Sequence, residues 1–175
     1  MAHSGSSASP VRVLFVCTGN ICRSPLGEAI FKSLVSERGL ERSYEVDSAG
    51  THGWHEGGPA DPRSIRVGER HGVSVTSVAR ALRADDFKRF DVLVAMDAGH
   101  LREMRGQCPE PLRHKLRLMR DYDRPGAPKD VPDPYYGGAK GFENVYAMLD
   151  VCCRGLLDAL ESEARPAAGA ASPVA

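Results

Sequence analysis

Residues 11–35 read VRVLFVCTGNICRSPLGEAIFKSLV and carry the clearest structural signal in the chain. The opening VRVLFVC is nearly continuous in apolar residues, which is typical of a strand buried on both faces of a sheet. Ser24 and Pro25 then predict a helix start, with Ser24 as the N-cap and Pro25 at the first helical position. Because apolar residues recur at helical spacing until Gly39, the stretch predicts the first half of a βαβ unit.

The rest of the chain repeats this alternation more weakly. Further strands are predicted at 44–48, 90–96 and 116–119, and further helices at 61–72, after Asp97 and near the C-terminus. The last helix has an apolar stripe that consists of Phe142, Val145, Leu149, Cys152, Leu156 and Leu160. Alternating strands and helices predict an α/β fold whose parallel sheet is covered on both faces. Such folds bind ligands beyond the carboxyl ends of their strands, where the loop 17–24 is expected to lie.

Length and composition restrict the class of protein. The chain has 175 residues, 42% of them hydrophobic, which is enough for one folded domain. Its 23 basic and 23 acidic residues cancel, so no global field attracts nucleic acid or anionic lipid. No apolar run is long enough for a membrane span and no signal peptide is recognisable, so we expect a cytoplasmic protein. Residues 1–10 and 165–175 are predicted to be disordered tails around a domain at 11–164.

Five cysteines are too few and too unevenly placed for a disulfide scaffold. They are Cys17, Cys22, Cys108, Cys152 and Cys153. Their spacing matches no zinc-binding pattern, so neither a metal nor a cofactor is predicted. Individual thiols are therefore candidates for chemistry.

The loop 17–24 has the properties of an anion site. A loop that enters a helix N-terminus presents several unpaired N–H groups, and the helix dipole adds positive potential. Gly19 lets the backbone curl tightly, and the planar fork of Arg23 can grip two phosphate oxygens. The same potential favours the thiolate form of Cys17, to which the Ser24 hydroxyl could donate. The alternative is a purely structural role, in which Cys17 is a buried residue at the end of a strand and Arg23 lies on a solvated turn.

The segment VLFVCTGNICRSP, residues 13–25, resembles the phosphate loop of the low-molecular-weight protein tyrosine phosphatases. Three further segments match that family in order: DSAGTHGW at 47–54, the His71-Gly72 helix end, and DPYYGG at 133–138. The resemblance implies a three-layer sandwich with a four-stranded parallel sheet in the order 2-1-3-4. It also implies metal-free hydrolysis of phosphotyrosine and aryl phosphate monoesters through a cysteinyl-phosphate intermediate.

The resemblance assigns roles to particular residues. Cys17 is expected to attack phosphorus, and Arg23 to bind the phosphate together with the loop N–H groups. Asp133 is expected to protonate the leaving oxygen. The remaining loop residues in contact with substrate are expected to be Thr18, Gly19, Asn20, Ile21, Cys22 and Ser24.

Several aspartates compete for the role of general acid, because the loop before the last helix contains Asp121, Asp123, Asp130 and Asp133. Most of them are expected to be solvated carboxylates. Asp133 is favoured because Pro132 and Pro134 restrict the backbone on either side and hold the side chain in place. Asp130 is the second choice.

Three aromatic residues are predicted to lie in loops rather than on periodic faces: Trp54, Tyr135 and Tyr136. Aromatic residues most often pack in a core, but these are interpreted as the walls of a slot for a flat ring. Ile21 at the mouth suits an aryl substrate, whereas a related phosphoarginine phosphatase group carries threonine there.

The resemblance implies two further features of the loop: hydrogen bonds that hold Asn20, and a second cysteine close to Cys17. Asn20 tolerates a left-handed backbone, and the resemblance implies that Ser48 and His71 hold its side chain. Taken alone, His71 is better explained as a helix C-terminal cap. The resemblance also implies that Cys22 can form a reversible disulfide with Cys17.

Other functions remain open at this point. An arsenate reductase uses a similar loop but needs further thiols that relay a disulfide outward. An anion-binding regulatory module would bind phosphate without catalysis. The expected partners are phosphotyrosine-containing proteins, with a cognate tyrosine kinase as a further candidate, and the protein is expected to be a monomer that binds neither nucleic acid nor membrane.

Overall fold

The computed structural model describes residues 8–164. Most of the predicted N-terminal tail (1–7) and the whole predicted C-terminal tail (165–175) lie outside the described residues. The strands are β1 (Val11–Cys17), β2 (Tyr44–Gly50), β3 (Val92–Ala95) and β4 (Leu116–Leu118). The helices are α1 (Arg23–Glu37), α2 (Pro62–Arg70), α3 (Asp86–Arg89), α4 (Ala98–Gln107) and α5 (Ala139–Ala164). Short 3-10 helices at Glu110–Lys115 and Met119–Tyr122 flank β4.

The four strands form one parallel sheet in the order β2-β1-β3-β4, as predicted. Strand β1 is central, because it pairs with β2 along its whole length and with β3 from Val13 to Val16. The side chains from Val13 to Val16 are 0% exposed, which confirms a strand buried on both faces. The chain crosses from one side of β1 to the other, so the carboxyl end of β1 is a topological switch point.

Helices cover both faces of the sheet, which confirms the predicted three-layer architecture. On one face α1, α2 and α5 pack around Phe15, and every residue of the predicted stripe on α5 is buried there. On the other face α3 and α4 pack around Leu14 and Leu93. The adjacent positions 14 and 15 thus anchor opposite layers, as strand alternation requires.

The first helix does not begin as predicted. Helix α1 starts at Arg23, and Cys22 rather than Ser24 occupies the N-cap position, without a side-chain capping bond. Ser24 is 0% exposed, and its hydroxyl contacts Cys17 and Asn20 instead of the helix backbone. The Ser-Pro signal was therefore interpreted wrongly, because it cannot reveal that the serine faces the loop.

Other boundaries shift by a few residues. Strand β2 continues to Gly50, two positions past its predicted end, because it pairs with β1 as far as Cys17. Strand β3 is shorter than predicted, because Phe90 caps the short helix α3, which was not predicted. Helices α2 and α4 begin after Asp61 and Asp97 as predicted, and each aspartate accepts a bond from the first turn.

No helix within residues 8–164 combines the length and the apolar character that crossing a bilayer requires.

Gly50 allows β2 to approach the loop that follows β1. A β-carbon at this position would lie 2.7 Å from the Thr18 carbonyl oxygen and 3.1 Å from the Asn20 nitrogen. We expect Gly50→Ala to lower the free energy of unfolding by about 1–3 kcal/mol, because backbone atoms must move to make room. Urea denaturation measures this change. Gly106→Ala in α4 is the control: a β-carbon there meets nothing within 4 Å, so it should not destabilise the protein. Equal midpoints for the two variants would contradict the prediction.

Candidate active site

A cleft of about 260 Å³ opens at the carboxyl end of β1, where the phosphate loop (residues 17–24) leads into α1. Its lining includes the predicted site residues Cys17, Thr18, Gly19, Ile21, Cys22, Arg23, Trp54, Asp133, Tyr135 and Tyr136. His55 also lines the cleft, although the sequence did not single it out. The predicted residues Asn20 and Ser24, within the loop, and Ser48, on β2 next to it, are buried.

Asn20 determines the curvature of the phosphate loop. It is 1% exposed and has a φ of 56°, in the left-handed region that asparagine tolerates. Its Nδ2 donates to Oγ of Ser24 at 2.8 Å and to Oγ of Ser48 at 2.9 Å. Its Oδ1 accepts the backbone N–H of Arg80 at 3.0 Å. Every bond of this side chain therefore holds the strained backbone in place.

The loop carbonyls point away from the cleft. Those of Cys17, Thr18 and Ile21 accept bonds from the N–H groups of residues 51, 52 and 61, at 2.8, 3.0 and 2.8 Å. In a planar trans peptide the N–H of the next residue points opposite to the carbonyl. The N–H groups that follow these carbonyls therefore point into the loop, where an anion can accept them.

Ser48 contacts Asn20 as predicted, and its own hydroxyl donates to Oε2 of the buried Glu28 at 2.7 Å. The prediction for His71 is wrong. The ring of His71 stacks on Tyr146 with centroids 4.0 Å apart, and its Nε2 lies 2.8 Å from Oε2 of Glu143. His71 is the C-cap residue of α2 and faces α5, so the Arg80 backbone occupies the place on Asn20 that His71 was expected to take.

The Cys17 sulfur lies at the floor of the cleft, 2.9 Å from Oγ of Ser24. Ser24 Oγ accepts from Asn20, and its hydrogen can go to Cys17 at 2.9 Å or to the more distant Ala49 carbonyl at 3.4 Å. Cys22 lies in a less favourable place for an anion. Burial, followed by the nearby Asp61 carboxylate, raises the pKa of the Cys22 thiol to about 12. Cys22 is therefore a neutral thiol at physiological pH.

Arg23 is 3% exposed and anchored along one edge. Its Nη1 donates to Oδ2 of Asp97 and to the Val131 carbonyl, both at 3.0 Å. Its Nη2 lies 3.5 Å from Oγ1 of Thr18 and 3.7 Å from Oδ2 of Asp133. The guanidinium is thus oriented before any ligand arrives, with its Nη2 edge towards the cleft.

Asp97 and His100 connect Arg23 to the start of the loop. Asp97 caps α4 through the His100 N–H, while its other oxygen binds Arg23. Nε2 of His100 lies 2.7 Å from Oγ1 of Thr18. Its Nδ1 lies 3.1 Å from Oδ1 of Asp97, at an angle that makes no hydrogen bond. The sequence analysis identified Asp97 only as a helix cap and did not identify His100. His100 could have been found from its position, three residues after a helix cap at the carboxyl edge of the sheet.

The structure separates the four candidate acids. Asp121 pairs with Lys129, and Asp123 pairs with Arg120. Oδ1 of Asp130 accepts the Ala98 N–H at the start of α4. Of the four, Asp133 lines the cleft.

Asp133 is partly exposed, and its two oxygens have different surroundings. Oδ1 accepts the Tyr135 N–H at 3.0 Å, while Oδ2 lies on the side of Arg23. The local bond from the Tyr135 N–H orients the side chain; that the flanking prolines hold it in place stays a prediction.

Comparison with known proteins identifies the family. Residues 12–166 match the sequence model described as low molecular weight phosphotyrosine protein phosphatase. The chain belongs to this family. It is therefore an enzyme, a protein-tyrosine-phosphatase that hydrolyses phosphoric monoesters. A low molecular weight protein-tyrosine-phosphatase from Streptomyces coelicolor is 50% identical over 155 residues, which cover 87% of this chain and 94% of the relative.

Solved structures give the same family. The crystal structure of a protein tyrosine phosphatase from Entamoeba histolytica, with Hepes in the active site, superposes with a TM-score of 0.86 at 42% identity. The match covers 88% of this phosphatase and 99% of that chain. A cysteine-to-serine mutant of YwlE arginine phosphatase, with a phosphorylated active site serine, matches at 28% identity and a TM-score of 0.80. That match covers 89% of this chain and 99% of the other.

Aromatic side chains line the cleft of this phosphatase. Trp54 is 70% exposed and stacks on His52 with centroids 4.3 Å apart. Tyr135 and Tyr136 meet edge to face at 5.1 Å. His55 packs over Gly19, where a β-carbon would lie 3.0 Å from its Cδ2. The exposed rings leave a slot above the phosphate loop.

No three His, Cys, Asp or Glu side chains in the described part of the chain lie close enough together to hold a metal ion. Metal-independent hydrolysis stays a prediction, which activity in the presence of a chelator would test.

The buried His100 makes stability depend on pH. Burial lowers the pKa of His100 below 6.5, although Asp97 opposes the shift. The unfolded chain therefore binds a proton near pH 6.5 that the folded chain resists, so the free energy of unfolding falls as pH drops from 7 to 5. The slope from one such proton is at most about 1.4 kcal/mol per pH unit. Denaturant titrations of His100→Asn should give a flatter dependence. His114→Asn, at an exposed position, should keep the wild-type slope; an unchanged slope in both variants would contradict the assignment.

Proposed function

We propose that this phosphatase hydrolyses phosphotyrosine monoesters in the cytoplasm, without a metal, through a phosphorylated Cys17. One observation carries the proposal: the Cys17 sulfur, the Arg23 guanidinium and the Asp133 carboxyl group line a single cleft. A nucleophile, an oxyanion-binding group and a proton donor are the parts that transfer of a phosphoryl group to sulfur requires.

In the first step the Cys17 thiolate attacks phosphorus, and the S–P bond forms as the bond to the tyrosine oxygen breaks. The N–H groups of residues 18–23 and the Arg23 guanidinium bind the equatorial oxygens, where negative charge is concentrated. Protonated Asp133 gives its proton to the leaving phenolate oxygen. The products of the step are tyrosine and a cysteinyl-phosphate.

In the second step Asp133, now a carboxylate, accepts a proton from water as the water oxygen attacks phosphorus. The S–P bond breaks and releases inorganic phosphate and the Cys17 thiolate. Ser24 stabilises this leaving sulfur, because its hydroxyl lies 2.9 Å away and can donate its hydrogen to the thiolate, which has none to give. Asp133 leaves the cycle protonated, ready for the next substrate.

The phosphorylated intermediate is supported by a relative. In the YwlE arginine phosphatase mutant the serine that replaces the active-site cysteine is phosphorylated. The similarity in fold supports a phosphoryl-Cys17 as the corresponding intermediate here.

The shape of the cleft favours an aromatic substrate. Trp54, Tyr135 and Tyr136 line the cleft with exposed rings, so a phenol ring can pack against them while its phosphate reaches the loop. Ile21 adds an apolar surface at the mouth, where a related phosphoarginine phosphatase group carries threonine. We therefore propose that phosphotyrosine is preferred to phosphoarginine.

The arrangement of thiols disfavours arsenate reduction. A reductase must hand its disulfide to an external reductant, which needs an accessible relay cysteine. Cys108 is 3% exposed, and Cys152 and Cys153 are 0% exposed. Burial raises the pKa of Cys152 to about 12 and that of Cys153 well above its usual range. A disulfide between Cys17 and Cys22, a cognate kinase and a monomeric state remain predictions.

Replacing the nucleophile separates catalysis from binding. We expect Cys17→Ser to abolish turnover of p-nitrophenyl phosphate while calorimetry still detects binding of inorganic phosphate, because the cradle of N–H groups and Arg23 remains. Cys108→Ser, at the end of α4, serves as control and should stay active. Turnover by Cys17→Ser at the wild-type rate would refute the nucleophile; binding without turnover in the wild type would identify a regulatory module.

Removing the acid affects substrates according to their leaving group. We expect Asp133→Ala to slow phosphotyrosine hydrolysis by about 10²-fold or more, and p-nitrophenyl phosphate less, because nitrophenolate leaves without a proton. The measurement is kcat/KM across a series of aryl phosphates, because kcat/KM reports the first step, whereas hydrolysis of the cysteinyl-phosphate is common to all of them. Asp130→Asn, the second choice for the acid, should show no such dependence on the leaving group. The assignment fails if the two variants exchange these behaviours.

A further inference from the structure

Arg63, at the start of α2, is held by the residue that caps its own helix. Its Nε donates to Oδ1 of Asp61 at 3.0 Å and its Nη2 to Oδ2 at 2.9 Å, so two parallel bonds join fork to carboxylate. Oδ1 of Asp61 also accepts the Arg63 N–H at 2.8 Å. This pairing fixes the plane of the guanidinium and leaves Nη1 directed away from the helix.

The Nη1 group of Arg63 is hydrogen-bonded to the segment that contains Asp133. We define this acid loop as residues 131–138. Nη1 of Arg63 donates to the Tyr135 carbonyl at 3.0 Å and to the Gly137 carbonyl at 3.4 Å. The guanidinium carbon also lies 4.6 Å from the ring centre of Phe142, in the first turn of α5. Arg63 therefore joins α2, the acid loop and α5.

The same helix end is bonded to the phosphate loop. The Asp61 N–H donates to the Ile21 carbonyl at 2.8 Å, and Oγ of Ser64 donates to the Cys22 carbonyl at 3.2 Å. A continuous series of bonds thus runs from Ile21 through Asp61 and Arg63 to Tyr135. It connects the loop of the nucleophile to the loop of the acid.

Asp133 lies between two arginine contacts. On its N-terminal side Arg23 binds the Val131 carbonyl, and on its C-terminal side Arg63 binds the Tyr135 carbonyl. Tyr135 also donates its N–H to Oδ1 of Asp133. Releasing the Tyr135 carbonyl would free the residue whose N–H orients the acid.

We propose that Arg63 is a positioning residue that holds the acid loop at the phosphate loop and so aligns Asp133 with the leaving oxygen. Arg63 does not line the cleft and reaches the reaction only through the acid loop. The ion pair joins a partly exposed guanidinium to the buried Asp61 carboxylate, so its loss lowers stability as well as disturbing geometry, and the dependence of the rate on the leaving group separates the two effects. The kinetic part of this proposal rests on the proposed function; the structural part does not.

Arg63→Met removes the fork and keeps most of the apolar stem. We expect kcat/KM for phenyl phosphate, which has a poor leaving group, to fall by about tenfold or more, which is part of what a positioned acid contributes to the first step. For p-nitrophenyl phosphate kcat/KM should change by less than about threefold. Inhibition by inorganic phosphate should not weaken, because the phosphate loop is intact. Arg66→Met, an exposed arginine on the same helix, should match the wild type on both substrates.

Further variants separate positioning from other roles. In the double variant Arg63→Met/Asp133→Ala the losses should not add, because both act through one proton transfer. Arg63→Lys keeps the charge without the fork and should retain the defect. Equal losses of activity on both substrates, together with weaker inhibition by phosphate, would show that Arg63 acts on phosphate binding and would overturn the proposal. Full recovery of activity in Arg63→Lys would overturn it as well.

Hydrogen exchange, which does not depend on catalysis, tests the positioning role of Arg63 separately from the proposed phosphatase function. Amide hydrogen exchange in a peptide that covers 131–138 should be faster in Arg63→Met than in the wild type and in Arg66→Met. Wild-type protein that hydrolyses no aryl phosphate would refute the proposed function and leave this comparison valid. Exchange in the acid loop that is unchanged by Arg63→Met would overturn the positioning role, whatever the activity.

Discussion

The hydrogen bonds of the buried Asn20 side chain are the constraint on which the active site depends. They hold one residue in a left-handed conformation, which turns the loop carbonyls outward and the N–H groups inward. The same side chain donates to Ser24, whose hydroxyl lies 2.9 Å from the Cys17 sulfur. A single amide group therefore shapes the loop and holds the hydroxyl next to Cys17.

The sheet topology brings the remaining parts to this loop. Because β1 lies between β2 and β3 and all three strands are parallel, the segments that follow β2 and β3 begin at the same edge of the sheet as the phosphate loop. The segment after β3 supplies Asp97 and His100, which anchor Arg23 and Thr18. The segment after β2 supplies Trp54 and, at the start of α2, Asp61. The site is thus assembled from strand ends rather than from one motif.

Two arginines have complementary tasks. Arg23 is almost fully buried, and its edge towards Asp97 and Val131 fixes the direction in which its other edge meets the substrate. Arg63 is partly exposed and binds backbone carbonyls of the acid loop. Both use the rigidity of the guanidinium fork, which a lysine could not reproduce. Together they bind backbone carbonyls on both sides of Asp133, at Val131 and at Tyr135.

The sequence by itself determined what depends on neighbouring residues: the apolar run of β1, the caps Asp61 and Asp97, the stripe on α5, and the proline-framed Asp133. These follow from local periodicity and backbone restriction, which are present in a short window. Tertiary structure alone decided which distant side chains meet. His71 stacks on Tyr146, and the Ser24 hydroxyl contacts Cys17 instead of capping α1. Arg63 donates to the carbonyl of Tyr135, which lies 72 positions away in the sequence. These contacts depend on how α2, α5 and the loops pack, which no short stretch of sequence contains.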